Sequence, residues 1–191
     1  MDQLPTLLPQ FEWKRPADAD QPFLLHLYAS TRDDLRGIDG DPALVASLIA
    51  MQRRFQEAGW RENFPAAQQY ILVFQGTPIG HIVVDMGTRA LRLVDIALLP
   101  QARGQGHGSA IVRALQRCAA AAGLPLALSV NSDNGRARRL YLALGFHRSD
   151  TNGADALSEQ LVWRAGAGPA GNGGRPSTIQ VKATDDQRHR A

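Results

Sequence analysis

The sequence predicts an α/β domain with a mixed, mostly antiparallel central sheet flanked by helices, and three stretches carry that expectation. "QYILVFQ" and "IGHIVVDM", separated by a turn at Gly76 to Pro78, have the residue types of a β-hairpin. "LRLVDIALL" is apolar at every position except Arg92 and Asp95, as a central strand covered on both sides would be. It leads directly into "PQARGQGHGSAIV", a strand-to-helix joint with glycines at 104, 106 and 108.

The remaining elements follow in order. "FEWK", Phe11 to Lys14, opens as a short strand. Asp18, Asp20 and Pro22 precede Phe23, Leu24, Leu27 and Tyr28 at helical spacing. A second helix is expected over "DPALVASLIAMQRRFQEAGW", with Leu44, Leu48, Met51 and Phe55 as its core stripe and Gly59 as its stop. After the glycine joint a helix runs to about Ala122, buried through Ile111, Leu115, Cys118 and Ala122, with Gly123 past its end. "PLALSV" is a strand. "NGRARRLYLALG" is a helix with Ala137, Leu140, Tyr141 and Leu144 on one face. Phe146 to Arg148 and Ser158 to Arg164 read as closing strands.

These elements imply an N-terminal extension at 1–10, one domain at 11–164, and a disordered Gly/Pro/Ala-rich tail at 165–191. A chain of 191 residues with 44% hydrophobic residues suits one globular domain. No apolar run has the length of a membrane span, and Met1 to Gln10 lacks the pattern of a signal peptide. Cys118 is the single cysteine, which excludes an intrachain disulfide and a cysteine zinc cage. These features point to the cytoplasm. The net charge of +3 sits in Arg164 to Ala191, so Met1 to Trp163 as a whole is neutral. Within it, arginines crowd the stretch from Arg103 to Arg148, where Asp133 is the lone acid. A local basic region on a neutral body fits a small anionic ligand better than a nucleic acid, and no nucleic-acid or membrane partner is expected. His81 and His107 have no partner at ligand spacing, so no metal is expected.

The glycine joint has a physical purpose. Glycine lets a backbone turn sharply and lets another group approach it closely. The first amides of a helix lack partners and carry partial positive charge, so several of them aimed at one space make a phosphate nest. A Walker A loop is excluded, because no lysine occurs between Lys14 and Lys182. A dinucleotide fingerprint needs Gly-x-Gly-x-x-Gly, whereas the spacing here is Gly-x-Gly-x-Gly. A glycine-rich turn without a ligand is the alternative.

Two segments together carry a resemblance. "ALLPQARGQGHGSAIV" is similar to motif A of the GNAT superfamily of N-acetyltransferases: a strand, a proline, then Arg/Gln-x-x-Gly-x-Gly/Ala, here Arg103, Gly106 and Gly108. "NSDNGRARRLYLALGF" is similar to its motif B through Asn134, Leu140, Tyr141 and Leu144 to Phe146. The resemblance covers about Phe11 to Trp163 and is specific over Leu91 to Phe146.

The resemblance implies a GNAT-type sheet in which two parallel strands, holding Ile96 to Leu98 and Leu126 to Val130, splay apart around acetyl-CoA as co-substrate. The backbone of Ile96, Ala97 and Leu98 would pair with the pantetheine arm. The amides of Gly104, Gln105, Gly106, His107, Gly108 and Ser109 would take the pyrophosphate, with Arg103 at the rim. Asn134 would touch the pantetheine or cap its helix. Tyr141 would protonate the leaving thiolate; its alternative is a core tyrosine.

Many relatives carry a glutamate as base on the strand before motif B. Here that strand offers Ser129 and Asn131, with no carboxylate until Asp133. Asp95 is the substitute, its alternatives being a structural carboxylate or a water relay with no dedicated base. "YASTRDD", Tyr28 to Asp34, falls where the superfamily builds its acceptor wall. The expected acceptor is a small-molecule or peptide amine, and the resemblance admits a homodimer. A catalytically degenerate member that binds CoA as sensor or scaffold is the alternative function.

Overall fold

The computed structural model of the chain describes residues 8–32, 34, 41–149 and 157–166. Nearly all of the expected tail and most of the N-terminal extension lie outside the described residues. Residues 8–10 are described, and among them Leu8 packs into the core and accepts from the Phe11 amide.

Seven strands form one sheet: β1 (Phe11–Lys14), β2 (Gln68–Phe74), β3 (Thr77–Met86), β4 (Leu91–Leu98), β5 (Leu126–Asn131), β6 (His147–Arg148) and β7 (Ser158–Trp163). Their order is β1-β2-β3-β4-β5-β7-β6, and every pairing is antiparallel except β4 with β5. The helices are α1 (Gln21–Ala29), α2 (Pro42–Asn63), α3 (His107–Ala121) and α4 (Gly135–Ala143). Strand β4 lies at the centre, as its apolar sequence predicts. On one face, α3 supplies Ile111, Val112 and Leu115 and α4 supplies Tyr141, all packed with Leu72, Ile82, Leu91, Leu93 and Leu128 of the sheet. On the other, α1 packs Leu24 against Ile71 and Val73. Ala122 is exposed as the C-cap of α3 rather than part of its stripe. Gln116 takes a buried place the apolar pattern did not announce, donating to the Leu144 carbonyl at 2.8 Å.

Helix α2 corrects two expectations. It continues through Gly59 to Asn63, because one glycine costs only about 1 kcal/mol inside a long helix. Its expected core stripe also points outward: Leu44, Met51 and Phe55 are 68%, 47% and 69% exposed. The inward face instead carries Arg53, which is buried and bonded to Gln21 at 2.8 Å and to Glu57. A polar face turned inward makes sense here, because it lines a cavity rather than a core. A Cβ added at Gly59 meets nothing within 4 Å. Gly59→Ala is therefore expected to raise stability by about 0.5–1 kcal/mol, measured by thermal denaturation.

The β3–β4 pairing contains a bulge that matters for the site. Val83 faces Asp95, yet the next residue, Val84, faces Leu93, so Val94 is the extra residue on β4. Simple alternation would put Asp95 on the same face as Leu91 and Leu93, inside the α3 core. The bulge reverses the parity, keeping Ile96 and Leu98 with that core and turning Asp95 and Ala97 to the α1/α2 face. Gly80 sits opposite Leu98, and a Cβ there would lie 2.5 Å from the Ala97 carbonyl oxygen. Since backbone must move to accommodate it, Gly80→Ala is expected to destabilise the protein by roughly 1–3 kcal/mol. Urea denaturation of the variant beside the parent measures this.

Candidate active site

Strands β4 and β5 pair only at Leu91–Leu126, Arg92–Ala127 and Leu93–Leu128. Beyond Leu93 they diverge, and β4 keeps its β3 partner while losing β5. Backbone polar groups on that free side need partners. One is filled internally: the Leu98 carbonyl accepts from Arg103 Nε at 2.8 Å. A cavity of about 540 Å³ opens at the divergence, lined by Ile96, Ala97, Leu98 and the glycine joint on one side and by Asn134, Arg136 and Tyr141 on the other.

The joint is built as the glycines require. Gly104 and Gly106 adopt φ of +79° and +83°, which favours glycine strongly. Gly106 is the N-cap of α3 and provides no side-chain cap, and the first helical bond runs from the Ala110 amide to the Gly106 carbonyl. The amides of His107, Gly108 and Ser109 therefore have no acceptor within the helix. A Cβ at Gly108 would make only ordinary contacts with Leu140 and Leu98, which explains a pattern admitting alanine there. Gly104, Gly106, Gly108 and Ser109 line the cavity. The side chains of Gln105 and His107 do not: Gln105 donates to the Gln101 carbonyl, and the His107 ring packs between Phe11 and Phe74. Arg103 reaches the cavity, but its guanidinium also bonds the Ser30 carbonyl (3.1 Å) and hydroxyl (3.3 Å) at the end of α1.

The arginine-rich stretch sorts itself by partners. Arg138 and Arg148 are held by Glu159 at 2.6 and 3.0 Å. Arg136 instead lines the cavity, and its guanidinium lies 3.8 Å from the position a Gly104 Cβ would take. Asn134 accepts from the Ala137 amide at 3.0 Å, so it is an N-cap that also faces the cavity. Tyr141 is buried on the core side, but its hydroxyl has no hydrogen-bond partner among the described residues and the residue lines the cavity. Burial, and secondarily the Asp95 charge, push its phenol up to about 12.

A second cavity, about 810 Å³, lies on the α1/α2 face and is lined by Tyr28, Thr31, Arg32 and Asp34 from the α1 end, Arg53 and Trp60 from α2, and His81, Asp95 and Asp133 from the sheet side. The expected acceptor-wall residues thus do come together; Asp33 lies outside the described residues. Arg32 is tied to Asp34 and Gln52, and Arg53 to Glu57 and Gln21. Asp95 lines this cavity with 27% of its side chain accessible, and desolvation pushes its carboxyl up to about 7. No arginine or lysine among the described residues forms an ion pair with it. The two cavities share Thr31, Ile96, Ala97 and Asn134, so they meet at the stretch of β4 that β5 leaves unpaired. His81 escaped sequence reasoning as a site residue; its only signal was a polar residue in an apolar strand.

The arrangement is a cleft between diverging parallel strands, with unpaired helix amides at one end and a second cavity at the other. A family model described as "Acetyltransferase (GNAT) family" matches residues 32–146. The chain belongs to this family, the N-acetyltransferases that use acetyl-CoA as acetyl donor. Among curated proteins none matches the sequence. Solved structures share the fold. The PaiA N-acetyltransferase of Thermoplasma acidophilum, in complex with coenzyme A, has a TM-score of 0.57 at 15% identity, covering 81% of this chain and 98% of its own. The ribosomal-protein-S18-alanine N-acetyltransferase of Escherichia coli has 0.51 at 18%, covering 80% and 90%. A variant of the spermidine N-acetyltransferase of Vibrio cholerae has 0.50 at 16%, covering 82% and 94%. No helix of the described residues is long and apolar enough to cross a membrane.

Proposed function

We propose that the protein transfers the acetyl group of acetyl-CoA to a primary amine, small or peptidic, held in the Asp95 cavity, by direct attack on the thioester. The observation that carries this is the meeting of the two cavities at Ile96 and Ala97, with Asp95 on one side and Tyr141 on the other. The residues present fit the donor: glycines at positive φ, uncapped amides at the start of α3, Arg136 beside them, and unpaired β4 backbone. When bound, acetyl-CoA supplies an activated acyl group and a thiolate leaving group.

The chain's own residues then divide the work. The α3 amides and Arg136 hold the phosphates. The free side of Ile96 to Leu98 aligns the pantetheine arm and offers an amide to the carbonyl oxygen as charge develops on it. Asp95 accepts the proton that an ammonium must lose before it can attack; a carboxyl near pH 7 is matched to that task. Tyr141 donates to the sulfur as it becomes a thiolate, its phenol staying protonated at every working pH. The similar proteins are named for a ribosomal-protein alanine and for spermidine, so amines of both peptide and polyamine type belong in the test set.

The test is release of free thiol from acetyl-CoA across a panel of amino acids, N-terminal peptides, polyamines and aminoglycosides. Amine-dependent release that tracks acetylated product supports the proposal. Tight acetyl-CoA binding with no turnover on any amine would favour the sensor or scaffold alternative.

A further inference from the structure

We infer that His81 is a positioning residue for Asp95, its Nδ1–H facing the carboxylate and holding the base in its ionised form; this rests on the assignment of Asp95 as base. The two residues lie on one face of the β3–β4 pair. Asp95 is opposite Val83, and His81, two residues earlier, is opposite Ala97. Diagonal neighbours across antiparallel strands are within reach of long side chains. His81 Nδ1 is 4.0 Å from Asp95 Oδ2, about 1 Å longer than a hydrogen bond, and on this inference the pair closes the gap when the carboxylate is ionised. The imidazole ring is 5% exposed and stacks on Trp60, with centroids 6.0 Å apart and planes at 28°.

The tautomer follows from the other nitrogen. His81 Nε2 is buried and has no partner among the described residues. A neutral imidazole carries one proton, and a buried N–H without an acceptor is the costlier and rarer orphan. The proton therefore belongs on Nδ1, where the carboxylate can accept it. Burial, and secondarily Arg53, pull the imidazole down to about 4, so the donor is neutral and forms no ion pair that would abolish the basicity of Asp95.

The surroundings leave His81 this role. On α2, Arg53 is engaged by Glu57 and Gln21. At the α1 end, Arg32 is engaged by Asp34 and Gln52. Asp133 lines the same cavity and is an acid, whereas Tyr141 lines the other cavity. Among the described residues, no donor hydrogen-bonds the Asp95 carboxylate, and no arginine or lysine ion-pairs with it.

The test combines carbon-13 NMR titration of the Asp95 carboxyl, which needs no acceptor, with the pH profile of acetyl transfer. His81→Phe removes the donor and keeps an aromatic ring against Trp60; His81→Met makes the same apolar comparison with a more adaptable side chain. His81→Gln retains a donor. The Phe and Met variants are expected to raise the Asp95 titration by about one pH unit, a tenfold change, and to carry the acidic limb of the rate profile with it, while Gln restores most of both. An Asp95 titration in Phe and Met equal to the parent's would overturn the inference. A titration that moves while the rate limb stays fixed sustains the hydrogen bond but refutes Asp95 as the base. A rate that collapses in Asp95→Asn with His81 variants indistinguishable from the parent leaves Asp95 as base and refutes the role of His81.

Discussion

Tyr141→Phe is expected to lower acetyl transfer by roughly 10²- to 10⁴-fold while leaving acetyl-CoA affinity essentially unchanged. The asymmetry comes from when charge appears. A thioester sulfur carries little charge, so a nearby phenol gains little before reaction. A departing thiolate carries a full one, and a proton donor then becomes valuable. An interaction made only in the transition state shows in kcat and not in ground-state binding. The variant keeps the ring that packs against Phe146 and deletes a hydroxyl that no described protein group bonds, so the fold loses nothing obvious. A purely structural tyrosine would leave turnover near normal. Steady-state kinetics and acetyl-CoA binding on both proteins separate the two.

Asp95→Asn is expected to cost a similar roughly 10²- to 10⁴-fold in turnover and to abolish the acidic limb of the rate profile. In the parent, the ionised base grows in as pH rises through about 7, so the rate climbs there. The same group predicts an opposite trend in stability. Its folded carboxyl lies above its unfolded value, because burial disfavours the charge. Its contribution to stability is thus full below about pH 4 and is lost as pH rises toward and through 7. Melting temperatures of the parent should fall relative to Asp95→Asn between pH 5 and pH 8, a site that gives up stability for a usable base. Parallel melting curves for the two proteins would remove the burial argument, and an unchanged rate in the Asn variant would remove Asp95 from the chemistry.

The geometry of the glycine joint and of the Asn134 cap was legible in the sequence because it is local. Glycines 104 and 106 sit where the backbone needs positive φ, and Asn134 and Tyr141 follow at fixed helical spacing. The acceptor half depends on geometry that no spacing records. Val94 is apolar whether it bulges or alternates, yet its bulge decides which face Asp95 occupies. Helix α2 shows the same limit: Leu44, Met51 and Phe55 mark an apolar stripe, but burial went to the face with Arg53 and Trp60, because a cavity rather than a core lies beneath it. Arg103 carried a charge suited to a phosphate, and only the fold shows that charge also bolting α1 to the end of β4.

The assignment of the β4–β5 cleft is tested most directly by acetyl-CoA binding to the parent and to Gly106→Asp, followed by calorimetry and thermal shift. At a ligand concentration a hundredfold above its dissociation constant, the parent should gain roughly 2.7 kcal/mol. In the variant, the new carboxylate at the start of α3 competes for the same free amides and repels the pyrophosphate. A Cβ at Gly106 meets nothing within 4 Å, but its φ of +83° strains any L-residue, so Gly106→Ala measured alongside separates backbone strain from the effect of the charge. Gly106→Asp is expected to fold and to lose most of the acetyl-CoA affinity, well beyond Gly106→Ala; an Asp variant with the parent's full affinity and thermal shift would rule out the phosphate nest.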